Sequence, residues 1–270
     1  MGRMMMWRKI GKYVAMARQA VRNRLAYPRE ILGRVMFLAL ILFVYDRLWT
    51  KVLGERGDFA GFGHAQLIWY LLITEAATFS FPRLQDRVST DVKTGDIAYR
   101  LNRPASYLGQ LLAEYLGETL AGAAAISVPG AGLAFLLAGR PPDLSLVHLA
   151  PALAALGLGT LVSFGLTASL ALTAFWVEDN APFFWIYSKI NFVLGGLFLP
   201  VEVYPGFLRT LAEILPFRLI FSAPARLAVR FDPVLLIRTL IAQAVWAAYL
   251  LALAWLIYGK GVRKLNVNGG

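Results

Sequence analysis

Six long apolar segments alternate with shorter polar stretches along the chain. They lie at residues 31–49, 65–81, 115–138, 144–176, 182–199 and 233–258. A membrane-spanning helix needs about 20 mostly apolar residues to cross a hydrocarbon layer roughly 30 Å thick, and each segment approaches or exceeds that length. The pattern therefore predicts an all-α membrane protein with six transmembrane helices over residues 31–260 and a polar tail at 261–270.

Residues 1–30 differ from these segments because cations interrupt their apolar positions. Apolar residues recur every three or four positions from Trp7 to Leu25, with Arg and Lys between them. This spacing puts the apolar side chains on one face of a helix. Cations are costly inside a bilayer and favourable on anionic lipid, so we predict an interfacial helix on the cytosolic membrane surface. A target helix of the kind that calmodulin binds has the same pattern and is the alternative.

The longest charged interval between two apolar segments is residues 91–104. Gly95 can adopt the left-handed conformation that ends a preceding turn, and Asp96 can then act as an N-cap. Pro104 disfavours helical conformation in the residue before it. The interval therefore predicts a short helix at about residues 97–102.

That short helix has one apolar edge. Ile97 and Leu101 are four residues apart and share a face, whereas Arg100 and Arg103 point elsewhere. An apolar ridge flanked by positive charge suits a groove on a partner protein. A solvated loop between two spans is the alternative interpretation.

A second irregular stretch follows the fifth apolar segment, at residues 200–232. Pro200, Glu202, Pro205 and Pro216 punctuate its first half, and the mostly apolar helix predicted at 208–215 between them is too short to cross a bilayer. A short apolar helix of this kind favours a re-entrant or interfacial element. We therefore predict an outer hairpin here.

Composition supports the membrane assignment. The 270 residues are 58% hydrophobic and 16% charged, with a net charge of +11, and the apolar share exceeds the roughly 45–50% of soluble domains. Cations crowd the ends of the apolar segments, which favours membrane lipids over nucleic acid as the partner of this charge. Five cations in the loop 82–108 predict that this loop and both termini are cytosolic, and that residues 50–64, 139–143 and 200–232 face out.

Several chemistries are unlikely to belong to this chain. It has no Cys and two His residues, which excludes thiol chemistry and leaves too few ligands for most metal sites. It also has no phosphate-binding G-x-x-x-x-G-K-[ST] loop, G-x-S-x-G elbow or H-E-x-x-H helix. We therefore predict a protein that is not itself an enzyme and that binds no cofactor.

Four polar residues fall inside or beside the predicted spans: Glu75, Glu118, Lys189 and Asn191. Glu75 and Lys189 would each lie roughly 10 Å from the inner end of a span, at 1.5 Å per residue. Charges at that depth are usually paired or functional. We predict an ion pair between Glu75 and Lys189, with the lining of an inward-facing substrate cavity and a proton relay as alternatives.

The charged interval 91–104 and the Pro-punctuated series from Gly196 to Phe217 resemble two elements of permease subunits of the ATP-binding-cassette type 2 (ABC-2) family. The chain is most similar to a six-helix group of roughly 260 residues in that family. The resemblance implies that residues 1–30 form an elbow helix and that residues 95–104 include the coupling helix that contacts an ATPase. The residues implied in ATPase coupling are Gly95, Asp96, Ile97, Arg100, Leu101, Arg103 and Pro104.

The same resemblance implies a function and partners. It implies export of a hydrophobic or amphipathic compound across the cytoplasmic membrane by two permease subunits, identical or homologous, and two separately encoded ATPase subunits that bind ATP and Mg²⁺. A membrane scaffold or binding subunit without transport is one alternative, and an intramembrane lipid-modifying enzyme is the other. Copurification of an ATPase distinguishes the exporter from both.

Overall fold

The described part of the chain is helical. A computed structural model describes residues 2–54, 57–141, 143, 146–177 and 180–268, with side chains for 10–54, 57–141, 143, 147–177 and 180–264. Within these ranges no strand occurs beyond an isolated antiparallel bridge between Phe59 and Phe62. The predicted outer turn at 139–143 includes Pro142, and the predicted fourth span begins at 144–145; these positions lie outside the described residues. The all-α prediction is confirmed for the residues described.

Six helices form the first half of the chain: α1 Gly2–Leu25, α2 Pro28–Leu53, α3 His64–Ser80, α4 Leu84–Lys93, α5 Asp96–Leu101 and α6 Tyr107–Ala138. The second half contains α7 Leu146–Ala171, α8 Ala181–Leu194, α9 Gly206–Ile214, α10 Phe217–Ile220, α11 Ser222–Val229 and α12 Pro233–Asn268. A 3₁₀ turn, Leu172–Phe175, continues α7, and another, Val201–Val203, precedes α9.

Each predicted span contains a helix, but the helices differ in length. Among the described residues, three stretches are long and apolar enough to cross a membrane: Tyr107–Ala138, Val147–Phe175 and Pro233–Lys264. The prediction of one helix over 182–199 is wrong in extent, since α8 ends at Leu194. Gly196, with φ +68°, turns the chain just beyond it. At 1.5 Å per residue, α8 is about 21 Å long, less than the roughly 30 Å of a hydrocarbon core.

Helix α1 packs on α6, so it does not rest on lipid alone. The backbone of Ala17 lies so close to Gly117 that no side chain would fit there. Ala20 is buried in the same contact, whereas Ile10 and Val14 stay about half exposed. Part of the predicted apolar face of α1 is therefore packed against α6, and the rest is exposed.

The segment after α8 reaches the middle of α3. The Thr74 hydroxyl donates to the Leu197 carbonyl at 2.6 Å, and Phe221 lies 5.7 Å from Phe81, ring centre to ring centre. Helix α11, which sequence analysis does not predict, packs between α3 and α7 with most of its side chains buried. These contacts fill the bundle beyond the end of α8. That residues 200–232 form an outer re-entrant hairpin stays a prediction.

Two main apolar clusters hold the bundle. One joins α2, α3 and α6 around Leu38, Leu71 and Ile126. The other joins α4, α5, α6, α7 and α12 around Val88 and Phe164. The second cluster lies at the end of the bundle where the charged interval 91–104 is found, and it therefore positions the candidate site.

Candidate functional site

The charged interval contains the end of α4, a tight turn and the whole of α5. Helix α4 ends at Lys93, Gly95 has φ +80°, and α5 begins at Asp96. The predicted left-handed glycine is confirmed, and α5 lies within one residue of the predicted helix. The predicted N-cap role of Asp96 is wrong: Gly95 occupies that position, and the Asp96 carboxylate accepts a hydrogen bond from the Thr94 hydroxyl at 2.9 Å.

The apolar ridge of α5 faces inward. Ile97 is 5% exposed and Leu101 is partly buried, both against the cluster that contains Leu84 and Val88 of α4. The prediction of an outward ridge at Ile97 and Leu101 is therefore wrong, because the apolar face of α4 supplies the groove within the same chain. The outer surface of α5 instead shows Tyr99, which is 80% exposed. Asp96 and Ala98 of α5 are also exposed, as are the three residues that follow the helix: Asn102, Arg103 and Pro104.

Arg100 also turns inward and does not form a rim. Its Nε lies 3.1 Å from Asp91 Oδ2, and its Nη1 lies 3.4 Å from Glu114 Oε1. Arg87 Nη1 lies 2.9 Å from Glu114 Oε2, and Arg87 also pairs with Glu118. We call these five residues the ion network. It connects α4, α5 and α6, and it places Glu118 in an ion pair with Arg87.

Burial and ion pairing shift the pKa values of two residues of this network, Asp91 and Arg87. Burial raises the pKa of Asp91 above its usual range, against the opposing effects of the Tyr107 hydroxyl, which donates to Asp91 at 2.8 Å, and of Arg100. Burial alone would lower the pKa of Arg87, but its hydrogen bond and ion pair with Glu118 outweigh that effect and raise it. Arg87 therefore stays a cation in the network, and ionised Asp91 is less favourable there than in water.

Helix α1 contacts the other end of the charged interval. The Lys12 ammonium donates to the Pro104 carbonyl, and the Tyr13 hydroxyl accepts from the Ser106 amide at 3.2 Å. Ser106 in turn caps α6, where its hydroxyl accepts from the Gly109 amide at 3.2 Å. Helix α5 is thus held by the ion network on one side, and the segment after it is held by α1.

Glu75 and Lys189 do not meet. Glu75 is 3% exposed on α3, and its Oε1 atom has no hydrogen-bond partner among the described residues. Lys189 is exposed on α8, with its ammonium 5.6 Å from the centre of the Trp185 ring. The predicted ion pair is wrong because α8 packs mainly against α9 and α10 and turns Lys189 away from α3.

Asn191 lines a cavity of about 230 Å³ between the end of α3, α7 and α8. Hydroxyl side chains make up much of its wall, including Thr78, Ser163, Thr167 and Tyr187. We call this space the hydroxyl cavity. The Oδ1 atom of Asn191 is buried and has no hydrogen-bond partner among the described residues, which is unusual for a buried amide oxygen. Thr167 could not be identified from the sequence, because one hydroxyl on an apolar helix carries no periodic signal.

The polar residues of the predicted outer hairpin have local structural roles. Glu202 lies 3.6 Å from Arg226, whose guanidinium lies 5.5 Å from the Phe62 ring centre. Arg230 donates to the Gly61 carbonyl at 3.3 Å. Helical turns begin after each of Pro200, Pro205 and Pro216, as expected for a residue with fixed φ. These contacts give Arg226 and Arg230 local partners within the bundle.

A family model matches most of the chain. The family model described as ABC-2 family transporter protein covers residues 30–269, from α2 through α12. No curated protein matches the chain.

Proposed function

The chain belongs to the ABC-2 family of transporter proteins, and from this membership we propose that it is the permease subunit of an ATP-driven exporter. It is a membrane protein of a family that works with an ABC ATPase. We propose that two such ATPase subunits bind ATP and Mg²⁺ and that the permease moves a hydrophobic or amphipathic compound across the cytoplasmic membrane. Closure of the ATPases would push the α5 helices of two permease subunits together.

The attachment of α5 is the observation that carries this proposal. A coupling element must be fixed to the spans if a push on it is to move them. The Arg100 side chain connects α5 to Asp91 of α4 and Glu114 of α6, and Ile97 is buried beneath the same helix. Helix α5 therefore moves with α4 and α6, while Tyr99 and Arg103 stay exposed for a partner.

Helix α8 supports the presence of a second permease subunit. It exposes Trp185, Ile186 and Phe192 on the surface that also carries Lys189. A lysine facing hydrocarbon is costly, so protein or a water-filled space is the expected neighbour of that surface. We propose that this face of α8 contacts the second subunit, which is the same chain or a homologue.

The hydroxyl cavity supports a route for the substrate. It opens beside Arg83, in the connection between α3 and α4, and Phe184 and Phe221 add apolar wall to its hydroxyl groups. A mixed wall of this kind suits an amphipathic compound. Movement of α4 relative to α7 and α8 would change its size, which is how a push on α5 would act on the substrate.

The proposal is tested by purifying the tagged chain from membranes and assaying ATP hydrolysis. We expect an ABC ATPase to copurify, and we expect Tyr99→Asp to reduce its recovery by about tenfold or more, as for a buried aromatic contact at an interface. Tyr27→Asp is the matched control, because Tyr27 is also exposed but lies between α1 and α2. The exporter proposal would be withdrawn if no ATPase copurified. If Tyr99→Asp recovered as much ATPase as the wild type, α5 would not be the element that binds the ATPase.

A further inference from the structure

A cleft of about 570 Å³ lies between the first half of α2 and the end of α3. Its charged wall consists of Glu30, Arg34 and Arg83, and its apolar wall contains the rings of Phe37 and Phe79. We call it the arginine cleft. It combines cations with aromatic rings at the end of two predicted spans, where the polar and apolar layers of a membrane meet.

The cations of the arginine cleft exceed its anions. Glu30 pairs with Arg34 at 2.7 Å and with Arg24 of α1 at 3.2 Å, so one carboxylate serves two arginines. Both arginines also donate to the Phe79 carbonyl at the end of α3. Arg83 has no ion-pair partner among the described residues, and its charge acts on Arg34 together with that of Arg24. Three guanidinium groups therefore face one carboxylate.

We propose that the arginine cleft binds an anionic phospholipid through its phosphate, between Arg34 and Arg83. A guanidinium binds phosphate oxygens with paired, charge-assisted hydrogen bonds, which suits the excess positive charge. A lipid also matches the apolar wall: Phe37 is half exposed, and the neighbouring Met36 and Leu40 of α2 are more than half exposed. Acyl chains would extend along this surface of α2.

The bound lipid would join three elements. Arg24 ends α1, Arg34 belongs to α2, and Arg83 lies between α3 and α4. A phosphate between Arg34 and Arg83 offsets the repulsion among these cations and holds α1 and α4 near α2. This role concerns assembly of the membrane subunit and does not depend on an ATPase.

The test measures lipid binding to the purified chain in uncharged detergent. Phosphatidylglycerol, phosphatidylcholine and inorganic phosphate are titrated separately, with native mass spectrometry for bound lipid and a thermal unfolding scan for stability. We expect phosphatidylglycerol alone to bind and to raise the unfolding midpoint. Arg83→Gln should weaken its binding by about tenfold, the effect of losing one charged hydrogen bond.

Comparison of variants distinguishes a specific lipid site from general electrostatic attraction between anionic lipid and the basic chain. Arg263→Gln removes one exposed charge from the far end of α12 and should keep wild-type affinity within about twofold. Arg34→Gln should act like Arg83→Gln, but Arg34 also contacts Glu30 and Phe79, so Arg83, which lacks such contacts, is the decisive position. Equal losses in Arg83→Gln and Arg263→Gln would overturn the site. Wild-type affinity in Arg83→Gln would also overturn the site, whereas equal stabilisation by inorganic phosphate would show that the ligand is not a lipid.

Discussion

Glu114 is the residue on which the ion network depends, since it contacts Arg87 and Arg100 on two different helices. Glu114→Gln should lower the free energy of unfolding by about 1–3 kcal/mol, because two largely buried guanidinium groups each lose a charged partner. Thermal unfolding in detergent measures this loss. Glu213→Gln is the control, since it breaks an exposed pair with Arg209 and should cost less than about 0.5 kcal/mol. Equal effects would mean that the network does not stabilise the protein.

Asp91 provides a pH prediction. Its pKa is raised by burial, so its contribution to stability is greatest below the ordinary value of roughly 4 and falls as pH rises through the folded-state pKa. In Asp91→Asn the side chain at this position does not titrate, so its contribution to stability does not change with pH. The unfolding midpoint of Asp91→Asn relative to wild type should therefore increase from pH 4 upward until Asp91 is fully ionised. A difference that decreased with rising pH would show that pairing with Arg100 dominates over burial.

The sequence could not predict which way the side chains of α5 point. The i, i+4 spacing of Ile97 and Leu101 established a shared face, but a face on a six-residue helix fits a partner's groove and the chain's own core equally well. The structure places the groove in α4, whose apolar positions Leu84 and Val88 are buried against α5. The apparent rim cation Arg100 has its partner Glu114 in the next helix, and no local pattern indicates that pairing.

At the scale of elements, the turn between α4 and α5 depends on Gly95. Its φ of +80° is unfavourable for a β-branched residue, although a Cβ there would meet no atom within 4 Å. Gly95→Val should therefore destabilise the turn by about 1–2 kcal/mol through backbone strain alone, whereas Gly95→Asn should cost less. ATP hydrolysis by the complex and recovery of the ATPase measure the effect on coupling. If valine and asparagine gave the same activity as glycine, the angle of α5 would not matter for coupling.

The long helices could be predicted from sequence and the short ones mostly could not. Apolar length alone located α6, α7 and α12, because a run of such residues has few alternatives. Turn chemistry at Gly95 located α5. Helices α4 and α11 were missed since charged or small residues interrupt their apolar positions, and their stability comes from packing against distant segments. The end of α8 was missed because Gly195 and Gly196 were read as part of a span.

At the scale of the whole molecule, the distribution of cations predicts which side each loop faces. The chain has no native Cys, so Thr94→Cys and Asp58→Cys each introduce a single exposed thiol. An impermeant reagent added to intact cells should label Asp58→Cys and spare Thr94→Cys. The opposite result would reverse the orientation and place α5 outside the cell, away from any ATPase.

We propose that α5 is the surface of this chain that contacts an ATPase. Single cysteines replacing Tyr99 on α5 and Phe135 near the end of α6 would each carry a thiol-linked photocrosslinker, since both positions are exposed. After irradiation of the purified complex, we predict a covalent adduct with the ATPase from position 99 and none from position 135. An intact complex that gave no adduct from position 99, or equal adducts from both positions, would contradict the account.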